Sequence, residues 1–420
     1  MTNARAPAPT EKPVVLTIAG SDSGGGAGIQ ADLKTIEATD GFGVSAITAV
    51  TAQNTTGVES SHVLPIEEIT AQIDAVRADF DVRAVKTGML ATAEVVGTVA
   101  DYAAAFEAPV VVDPVMVATS GDRLLTEAAE AAYEDLIAEA ALVTPNADEA
   151  AVLTGIEPSD ETSAREAGRK LCSLGPDAAL IKGGHVPGAS VLDVLVTPDG
   201  SETMRHPRIE TEATHGSGCT LSAAIAARLA RGASIEDAVE RSVSFMERAV
   251  RYHHAAGEGA GAVHHLVDLR NDAGRGGAIE AVQGAFDRLA RTGGDGDGPN
   301  EDRTPADVVE NVAVATPYAE TVDDVAAVEG GWPPSREGSA AGGWVRFGAD
   351  PALGRAVLGG RERRPELRVG IECRPDAGID AALDASAGVV TDGPGERIVV
   401  LSETVDAALD AVETAVNRST

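Results

Sequence analysis

A glycine loop that leads into an alanine-rich segment is the stretch best suited to hold an anion. Residues 214–220 read Thr-His-Gly-Ser-Gly-Cys-Thr, a predicted helix follows to Arg231, and Gly232 is a typical C-terminal stop. The two glycines allow the N–H groups of residues 216–219 to face one concavity, where the helix N-terminus adds partial positive charge. This arrangement favours a bound phosphate or oxyanion and a thiolate at Cys219. An ordinary loop-to-helix turn with a buried cysteine is the alternative.

Polar or ligand-facing residues also follow several predicted strands. Runs rich in Val and Ile alternate with Ala-rich helical runs, which predicts an α/β protein with a mostly parallel sheet. The carboxyl ends of parallel strands meet at one edge, where open α/β sheets bind ligands. Because they converge on the glycine loop, the residues at these ends predict a ligand site. They are Gln53, Met89, Asp113, Asn146 and Lys182.

A second glycine-rich loop, residues 21–28, lies between a predicted strand at 14–20 and a helix that begins near Ile29. It matches neither the Walker A pattern nor the dinucleotide-binding Gly-x-Gly-x-x-Gly pattern. Its glycines permit close approach of the backbone to a ligand, and the loop alone indicates no more than that.

The residue types at these positions suit phosphoryl transfer, which needs cradling of the phosphates, a divalent metal and a group for the acceptor oxygen. The loop at 216–219 can cradle, and Lys182 at a strand end can reach a transferring phosphate. Asn146 and Glu149 on the first turn of one helix suit a hydrated Mg²⁺. An asparagine cap followed by an ordinary first-turn carboxylate is the alternative for this pair.

Composition narrows the possible functions. The net charge is −33 and only five residues are lysine, which favours adaptation to a high-salt cytoplasm over an acidic partner-binding protein. The negative sign disfavours nucleic-acid binding. Neither the three cysteines nor the histidines His185, His215, His264 and His265 have the spacing of a metal site, and we expect these histidines to be structural or loop residues. Without an apolar leader or membrane span, a soluble cytoplasmic protein is expected.

The chain is expected to form two domains. We assign residues 1–12 to a disordered tail, 13–269 to the first domain, 270–307 to a linker with one helix at 278–291, and 308–420 to a smaller α/β domain. The linker assignment depends on a Gly-rich break at 271–277 and the acidic Gly/Asp run at 293–302. Within the first domain, residues 43–55 are predicted to form one strand, and residues 191–210 a β-hairpin.

The motifs of the first domain together resemble those of the hydroxymethylpyrimidine/phosphomethylpyrimidine kinases of thiamine biosynthesis, in the ribokinase superfamily. The resemblance covers about residues 13–267 and is carried, in order, by residues 18–35, 48–55, 86–89, 113–116, 144–146, 182–185 and 214–220. It implies a ribokinase-like fold with a mostly parallel sheet flanked by helices. It also implies ATP- and Mg²⁺-dependent phosphorylation of 4-amino-5-hydroxymethyl-2-methylpyrimidine and then of its monophosphate, with a homodimer as the assembly.

The same resemblance assigns roles to individual residues. Gly20 and Gln53 are expected to bind the aminopyrimidine. Cys219 occupies the position at which most ribokinase relatives carry an aspartate base. The remaining implied residues are Asp32, Met89 and Val115 beside the pyrimidine; Asn146, Lys182, Thr214, Ser217 and Thr220 for the nucleotide; Asn146, Glu149 and Asp113 for the metal; and Lys182, Gly216 and Gly218 beside Cys219 in catalysis.

The C-terminal segment resembles the ThiN-type thiamine-phosphate synthase domain that is fused to this kinase in archaea, and the high-salt composition suggests a haloarchaeal form. Residues 312–325, 345–349, 354–357 and 389–393 carry the resemblance. Pro351-Ala352 replaces an Arg-His pair of the family, and residues 393–396 lack its lysine. We therefore expect a domain that keeps the fold, has lost synthase activity, and serves in binding, regulation or dimerisation. The alternatives are a bifunctional kinase and synthase, a pyridoxal-type kinase, and a sensor of a thiamine intermediate.

Overall fold

The structure is a computed structural model, and it describes residues 10–116, 127–184, 186, 188–292, 304–331, 344–374, 388–392 and 397–419. The chain divides into two compact units, Met1–Val267 and Asp268–Thr420. We call them the N-terminal and C-terminal units.

The N-terminal unit is built on an eight-stranded sheet. Its strands run in the order β10-β9-β8-β7-β6-β5-β1-β2, and all neighbouring strands from β2 to β8 are parallel. The antiparallel hairpin β9–β10 completes one edge, as predicted for residues 191–210. The bounds are β1 Val14–Ala19, β2 Phe42–Ile47, β3 Ala49–Asn54, β4 Gly57–Val63, β5 Val82–Thr87, β6 Val110–Val112, β7 Leu142–Val143, β8 Ala178–Ile181, β9 Ser190–Thr197 and β10 Gly200–Pro207.

Helices cover both faces of this sheet. Along β1, Leu16 and Ile18 join a core with helices α2 to α6, whereas Thr17 bonds Asp32 of α1. Because side chains alternate along a strand, α1 lies on the other face, where α7 packs against α1, α8 and β5. The bounds are α1 Gly28–Ala38, α2 Ile66–Asp79, α3 Ala93–Ala103, α4 Glu127–Ala138, α5 Ala147–Thr154, α6 Glu161–Cys172, α7 Ser217–Ala230 and α8 Ile235–Arg251.

The single strand expected at 43–55 is wrong, because the structure has two strands there in different sheets. The chain breaks at Thr48, whose hydroxyl donates to the carbonyl of Met89 at 2.7 Å while its N–H donates to Ala19. β2 stays in the large sheet, and β3 pairs only with β4 in a two-stranded antiparallel sheet. Gln53 therefore lies on this small sheet rather than at the end of a parallel strand.

The C-terminal unit contains a six-stranded antiparallel sheet in the order β13-β12-β11-β14-β16-β15. Val312 and Val314 face one core with α9 and α11, while Ala313 and Ala315 face another with α10. None of the helices in the described parts of the chain has the length and apolar character needed to cross a membrane. The bounds are β11 Val309–Ala315, β12 Val325–Val328, β13 Val345–Phe347, β14 Val369–Cys373, β15 Gly388–Asp392, β16 Arg397–Ser402, α9 Val267–Thr292, α10 Pro351–Arg363 and α11 Val405–Ser419.

The structure also corrects the linker expected at 270–307. Residues 271–277 are not a break, since α9 is one helix of 26 residues. Its residues Ala278, Val282, Ala285 and Leu289 are buried in the core of the C-terminal unit. That packing outweighs a helix-propensity cost of about 1 kcal/mol for each interior glycine. The Gly/Asp run at 293–302 lies outside the described residues, as do residues 1–9 of the expected tail.

Candidate active site

A cavity of about 610 Å³ lies at the carboxyl ends of the parallel strands in the N-terminal unit. Loops after β1, β5, β6, β7 and β8 contribute to it, together with β3 and the N-terminus of α7. The cavity brings together most residues expected at the site. Those in its lining are Gly20, Gln53, Met89, Asp113, Val115, Asn146, Glu149, Lys182, Thr214, Gly216, Ser217, Gly218 and Cys219.

Lys182 and Asp113 form an ion pair in this cavity. Nζ of Lys182 lies 2.8 Å from Oδ1 of Asp113, and the two side chains are 13% and 2% exposed. Burial lowers the pKa of Lys182, but the charges of Asp113 and Glu149 outweigh it and the net shift is upward. A Cβ on Gly218 would lie 3.2 Å from this Nζ, so the glycine loop packs directly on the ammonium group. A permanent cation thus lies beside the α7 N-terminus.

Asn146 and Glu149 form a capping box at the start of α5. Oδ1 of Asn146 accepts the N–H of Glu149 at 2.9 Å, and Oε2 of Glu149 accepts the N–H of Asn146 at 2.8 Å. Both residues also line the cavity. A role as helix cap therefore does not exclude a role in binding a ligand. Burial raises the pKa of Glu149 to about 7. The negative charge of Asp113 also raises this pKa, whereas the positive charge of Lys182 lowers it.

These carboxylates fit a hydrated divalent ion better than a directly ligated one. Among the described residues there is no group of three or more His, Cys, Asp or Glu side chains placed to hold a metal. Mg²⁺ keeps several of its waters and binds through one or two carboxylates. The hydroxyl of Tyr133 is buried without a hydrogen-bond partner in the described structure, and burial together with the charges of Glu149 and Asp113 raises its pKa.

Cys219 lies between the N-termini of two helices. It is in the first turn of α7, and the backbone N–H of Gly28, the first residue of α1, lies near enough to its sulfur to lower the pKa of the thiol. Burial raises the pKa of the thiol to about 11, although Lys86 and the Gly28 N–H oppose the shift. The thiol is therefore neutral at neutral pH in the absence of ligands, which favours a role in binding over that of a resident base.

Two expected contacts do not reach the cavity. The side chain of Asp32 is fully buried behind its wall, where it accepts Lys86 Nζ at 2.9 Å and Thr17 Oγ1 at 2.6 Å. Thr220 is fully buried in α7, and its hydroxyl has no partner in the part of the chain that is described. Asp32 thus holds Lys86 at the cavity wall, and the geometry does not support direct ligand contact for either residue.

Comparison with known proteins identifies the family. Residues 22–264 match the family described as phosphomethylpyrimidine kinase, and they make up more than half of the chain. The chain belongs to that family. A hydroxymethylpyrimidine/phosphomethylpyrimidine kinase of Streptomyces coelicolor is 49% identical over 260 residues, which cover 61% of this chain and 96% of that protein. The N-terminal unit is accordingly that of a phosphotransferase enzyme.

Solved structures give the same fold for the kinase. The phosphomethylpyrimidine kinase of Clostridium difficile 630 is 40% identical with a TM-score of 0.52, covering 57% of this chain and all of that one. An ADP complex of Bacillus subtilis pyridoxal kinase is 32% identical with a TM-score of 0.57, covering 62% of this chain and 99% of that one. The N-terminal unit is therefore ribokinase-like, as expected.

Several cavity residues of the kinase had no role in the sequence prediction. Arg208, just after β10, donates to the carbonyls of Gly184, Val186 and Gly188 and so fixes the loop that follows Lys182. Lys86 was noted only as part of a motif, although it is a buried cation beside Cys219. Only the resemblance of residues 86–89 to the family could have indicated Lys86, and no pattern in the sequence singled out Arg208.

The histidines divide into several settings. His215, expected to be structural, lines the cavity and lies 3.0 Å from Asp22. His264 and His265 are buried, and burial lowers the pKa of His265 to about 4. His185 lies outside the described residues.

Residues 304–397 match the family described as thiamine-phosphate synthase ThiN. In the C-terminal unit a cavity of about 620 Å³ opens beside the N-terminus of α10, where Pro351 and Ala352 form the first turn. Its charged lining consists of Glu310, Asp350, Glu372 and Arg355. Residues 393–396, which lack the family's lysine, lie outside the described residues. This lining offers one guanidinium for phosphates, whereas the lining of the N-terminal cavity offers two lysines and an arginine.

Proposed function

We propose that the N-terminal unit phosphorylates 4-amino-5-hydroxymethyl-2-methylpyrimidine with ATP and then phosphorylates the monophosphate to the diphosphate. One observation carries the proposal: Lys182, the α7 N-terminus and the Gln53–Met89 wall share a single cavity. The cationic end suits the transferring phosphate, and the other end suits a small polar ring. The function printed for the Streptomyces relative supports the same substrates.

In this proposal the pyrimidine ring lies against Gly20, Gln53, Met89 and Val115. Its hydroxymethyl group points to Cys219, between the first turns of α1 and α7. The N–H groups of residues 216–219 and the ammonium of Lys182 stabilise the charge on the transferring phosphoryl group. Because bond formation to the acceptor lags in a loose transition state, positioning and charge stabilisation dominate the rate.

The Cys219 thiol donates or accepts a hydrogen bond at the acceptor oxygen rather than acting as a preformed thiolate. Its raised pKa of about 11 supports this role. In the first step the hydroxymethyl oxygen loses its proton late, to an oxygen of the transferring phosphoryl group, while the thiol is hydrogen-bonded to the acceptor oxygen. In the second step the acceptor is an anionic phosphate with no proton to lose. This difference makes the first step the more sensitive one to the thiol.

Mg²⁺ is the metal implied for this chemistry, and Asp113 and Glu149 would hold it through water, with Asn146 fixing the Glu149 carboxylate. When bound, it supplies neutralisation of the phosphate charges. Thr214 and Ser217, in the loop before α7, are proposed to contact the nucleotide. With Mg²⁺ bound, the Glu149 carboxyl would be expected to lose its proton and carry a full negative charge.

A product assay tests this function. The purified chain is incubated with ATP, Mg²⁺ and the hydroxymethylpyrimidine at high salt, because the charge of −33 and the five lysines support a salt-adapted cytoplasmic enzyme. Sequential appearance of the mono- and diphosphate is expected, and their absence at all salt concentrations contradicts the proposal. Analytical ultracentrifugation of the same sample tests the proposed homodimer.

Pyridoxal is the second candidate substrate. The Bacillus subtilis pyridoxal kinase structure, at 32% identity and over nearly its full length, favours including it. ATP consumption with each ring in parallel separates the two, and we expect a higher kcat/KM for the pyrimidine.

For the C-terminal unit we propose a fold without synthase activity that serves in binding or regulation. The lining of the C-terminal cavity supports this, because it offers one guanidinium, and joining a pyrimidine diphosphate to a thiazole phosphate requires cations against several phosphates. Thiamine phosphate should not form when the full chain receives both compounds. Its formation would instead support the bifunctional kinase and synthase.

A further inference from the structure

The loop between β1 and α1 is organised by one buried carboxylate. Asp22 is 2% exposed, and its carboxylate accepts the N–H groups of Gly24, Gly26 and Ala27 at 2.7 to 2.9 Å. Burial raises the pKa of Asp22, but His215 and these N–H groups outweigh it, and the net pKa lies below the ordinary value. The carboxylate is therefore ionised and fixes Gly24, Gly26 and Ala27 in the turn that leads into α1.

The fourth partner of this carboxylate belongs to the other glycine loop. Nε2 of His215 lies 3.0 Å from Oδ2 of Asp22, and because an ionised carboxylate only accepts, this nitrogen carries the proton. Gly216 follows with φ +80°, and a Cβ there would lie 1.8 Å from the carbonyl oxygen of Gly26. The two loops are thus in contact with no space for a side chain between them.

A third contact involves the carbonyl group of Gly26. The ring of His265, neutral because its pKa is about 4, donates from Nε2 to the carbonyl of Gly26 at 3.1 Å. The N–H of Gly26 meets Asp22 and its carbonyl meets His265. Both backbone polar groups of Gly26, the residue that contacts Gly216, are consequently hydrogen-bonded.

These contacts converge on Cys219 from two directions. Asp22 accepts the N–H of Ala27, and the next N–H, that of Gly28, lies near enough to the Cys219 sulfur to lower the pKa of the thiol. Asp22 also bonds His215, four residues before Cys219 in the loop that opens α7. One carboxylate therefore sets the position of both helix N-termini that flank the thiol.

We propose that Asp22 and His215 are positioning residues for phosphoryl transfer, which hold the N-termini of α1 and α7 together and so align Cys219 and the N–H cradle. This proposal rests on the proposed function for its kinetic part. A displacement of about 1 Å in an aligned site can lower a rate by about a hundredfold, so loss of the pair affects kcat more than KM.

The test compares two substitutions of His215. Gln places an amide nitrogen near the position of Nε2 and keeps the donor to Asp22, whereas Asn is too short to reach it. We expect His215→Asn to lower kcat about tenfold with KM for ATP within about twofold, and His215→Gln to keep kcat within about threefold. His253→Asn is the matched control, because among the described residues that ring bonds only the carbonyl of Val250 three residues earlier.

Hydrogen exchange gives a readout that is independent of activity. In His215→Asn, deuterium uptake should rise in the peptide that spans residues 20–29, although no residue there is changed. In Asp22→Asn, uptake should rise in the peptide that spans residues 212–220. Neither change is expected in His253→Asn.

Each result decides the inference. An unchanged kcat in His215→Asn, an equal loss in His215→Gln, or unchanged uptake at residues 20–29 overturns it. If the wild-type chain phosphorylates no pyrimidine, the proposed function fails, while the reciprocal exchange still shows whether the pair fixes the two loops.

Discussion

The two units contain cavities of nearly equal volume that differ in their cations. The N-terminal cavity, of about 610 Å³, is lined by six carboxylates but also by Lys86, Lys182 and Arg208, and Lys182 lies against the glycine loop that opens α7. The C-terminal cavity, of about 620 Å³, has three carboxylates and Arg355. Volume alone therefore does not identify a phosphate site. What differs is fixed positive charge, and the predictions below test whether that difference determines which unit handles phosphates.

Removal of Lys182 should give the largest effect. Lys182→Met deletes the cation beside the α7 loop, and we expect kcat for both phosphorylations to fall about 10²- to 10³-fold, as for other groups that stabilise transition-state charge. Rates of both steps measured with saturating substrates check this. Lys170→Met, at an exposed position of α6, is the matched control. A loss of less than tenfold would show that the helix N-termini suffice.

The pH dependence of stability should also separate the units. His265 has a folded pKa of about 4, below the value near 6.5 in an unfolded chain, so the folded state resists protonation. Its contribution is fully present above pH 6.5 and is lost as the pH falls towards 4, by about 3 kcal/mol in the free energy of unfolding. All eight histidines lie at or before residue 265, so the C-terminal unit lacks this source of pH dependence.

Calorimetry between pH 7 and pH 4 measures this contribution. His265→Gln keeps a donor for the Gly26 carbonyl and should flatten the pH dependence of the N-terminal transition. A slope equal to that of the wild type would assign the effect to other groups.

Cys219→Ala should have a smaller effect that differs between the two steps. We expect about a tenfold loss in kcat for the hydroxymethyl acceptor and less than about threefold for the phosphate acceptor, which is already anionic. Single-turnover rates for each step make the comparison. Cys172→Ala, at a partly buried cysteine on α6, is the control. Equal losses in the two steps would contradict this division.

The smallest effect is expected in the C-terminal cavity. Arg355→Met should leave both kinase rates within about twofold, because surface substitutions away from a site change free energies by only about 0.5 kcal/mol. A larger fall in either phosphorylation rate would contradict the assignment of phosphate chemistry to the N-terminal unit alone, since the C-terminal cavity would then contribute to the kinase reaction.

Local patterns predicted much of this molecule, and tertiary contacts account for the rest. The start of α5 followed from Asn146 and Glu149, and the ends of β6 and β8 followed from apolar runs that lead into Asp113 and Lys182. By contrast, the break at Thr48 depends on its bond to Met89, 41 residues away. The helix through residues 271–277 depends on the burial of α9 in the C-terminal core. Such burial cannot be read from the helix propensity of the local sequence.

The site shows the same division. Residue types placed Lys182, Cys219 and the cradle in one cavity, because strand ends and a helix start must meet at one edge of the sheet. The pair of Asp22 and His215 could not be found in this way, since 193 residues separate them. Its sequence signal is only that each residue stands within a glycine loop.

The position of α9 has a consequence for the order in which the chain folds during synthesis. The N-terminal unit ends at Val267, so its core is complete when that residue leaves the ribosome. α9 emerges next, but the strands that cover Val282 and Leu289 begin only at Val309. Its apolar face therefore remains exposed to water until those strands are synthesised, and such exposed apolar surface is prone to aggregation.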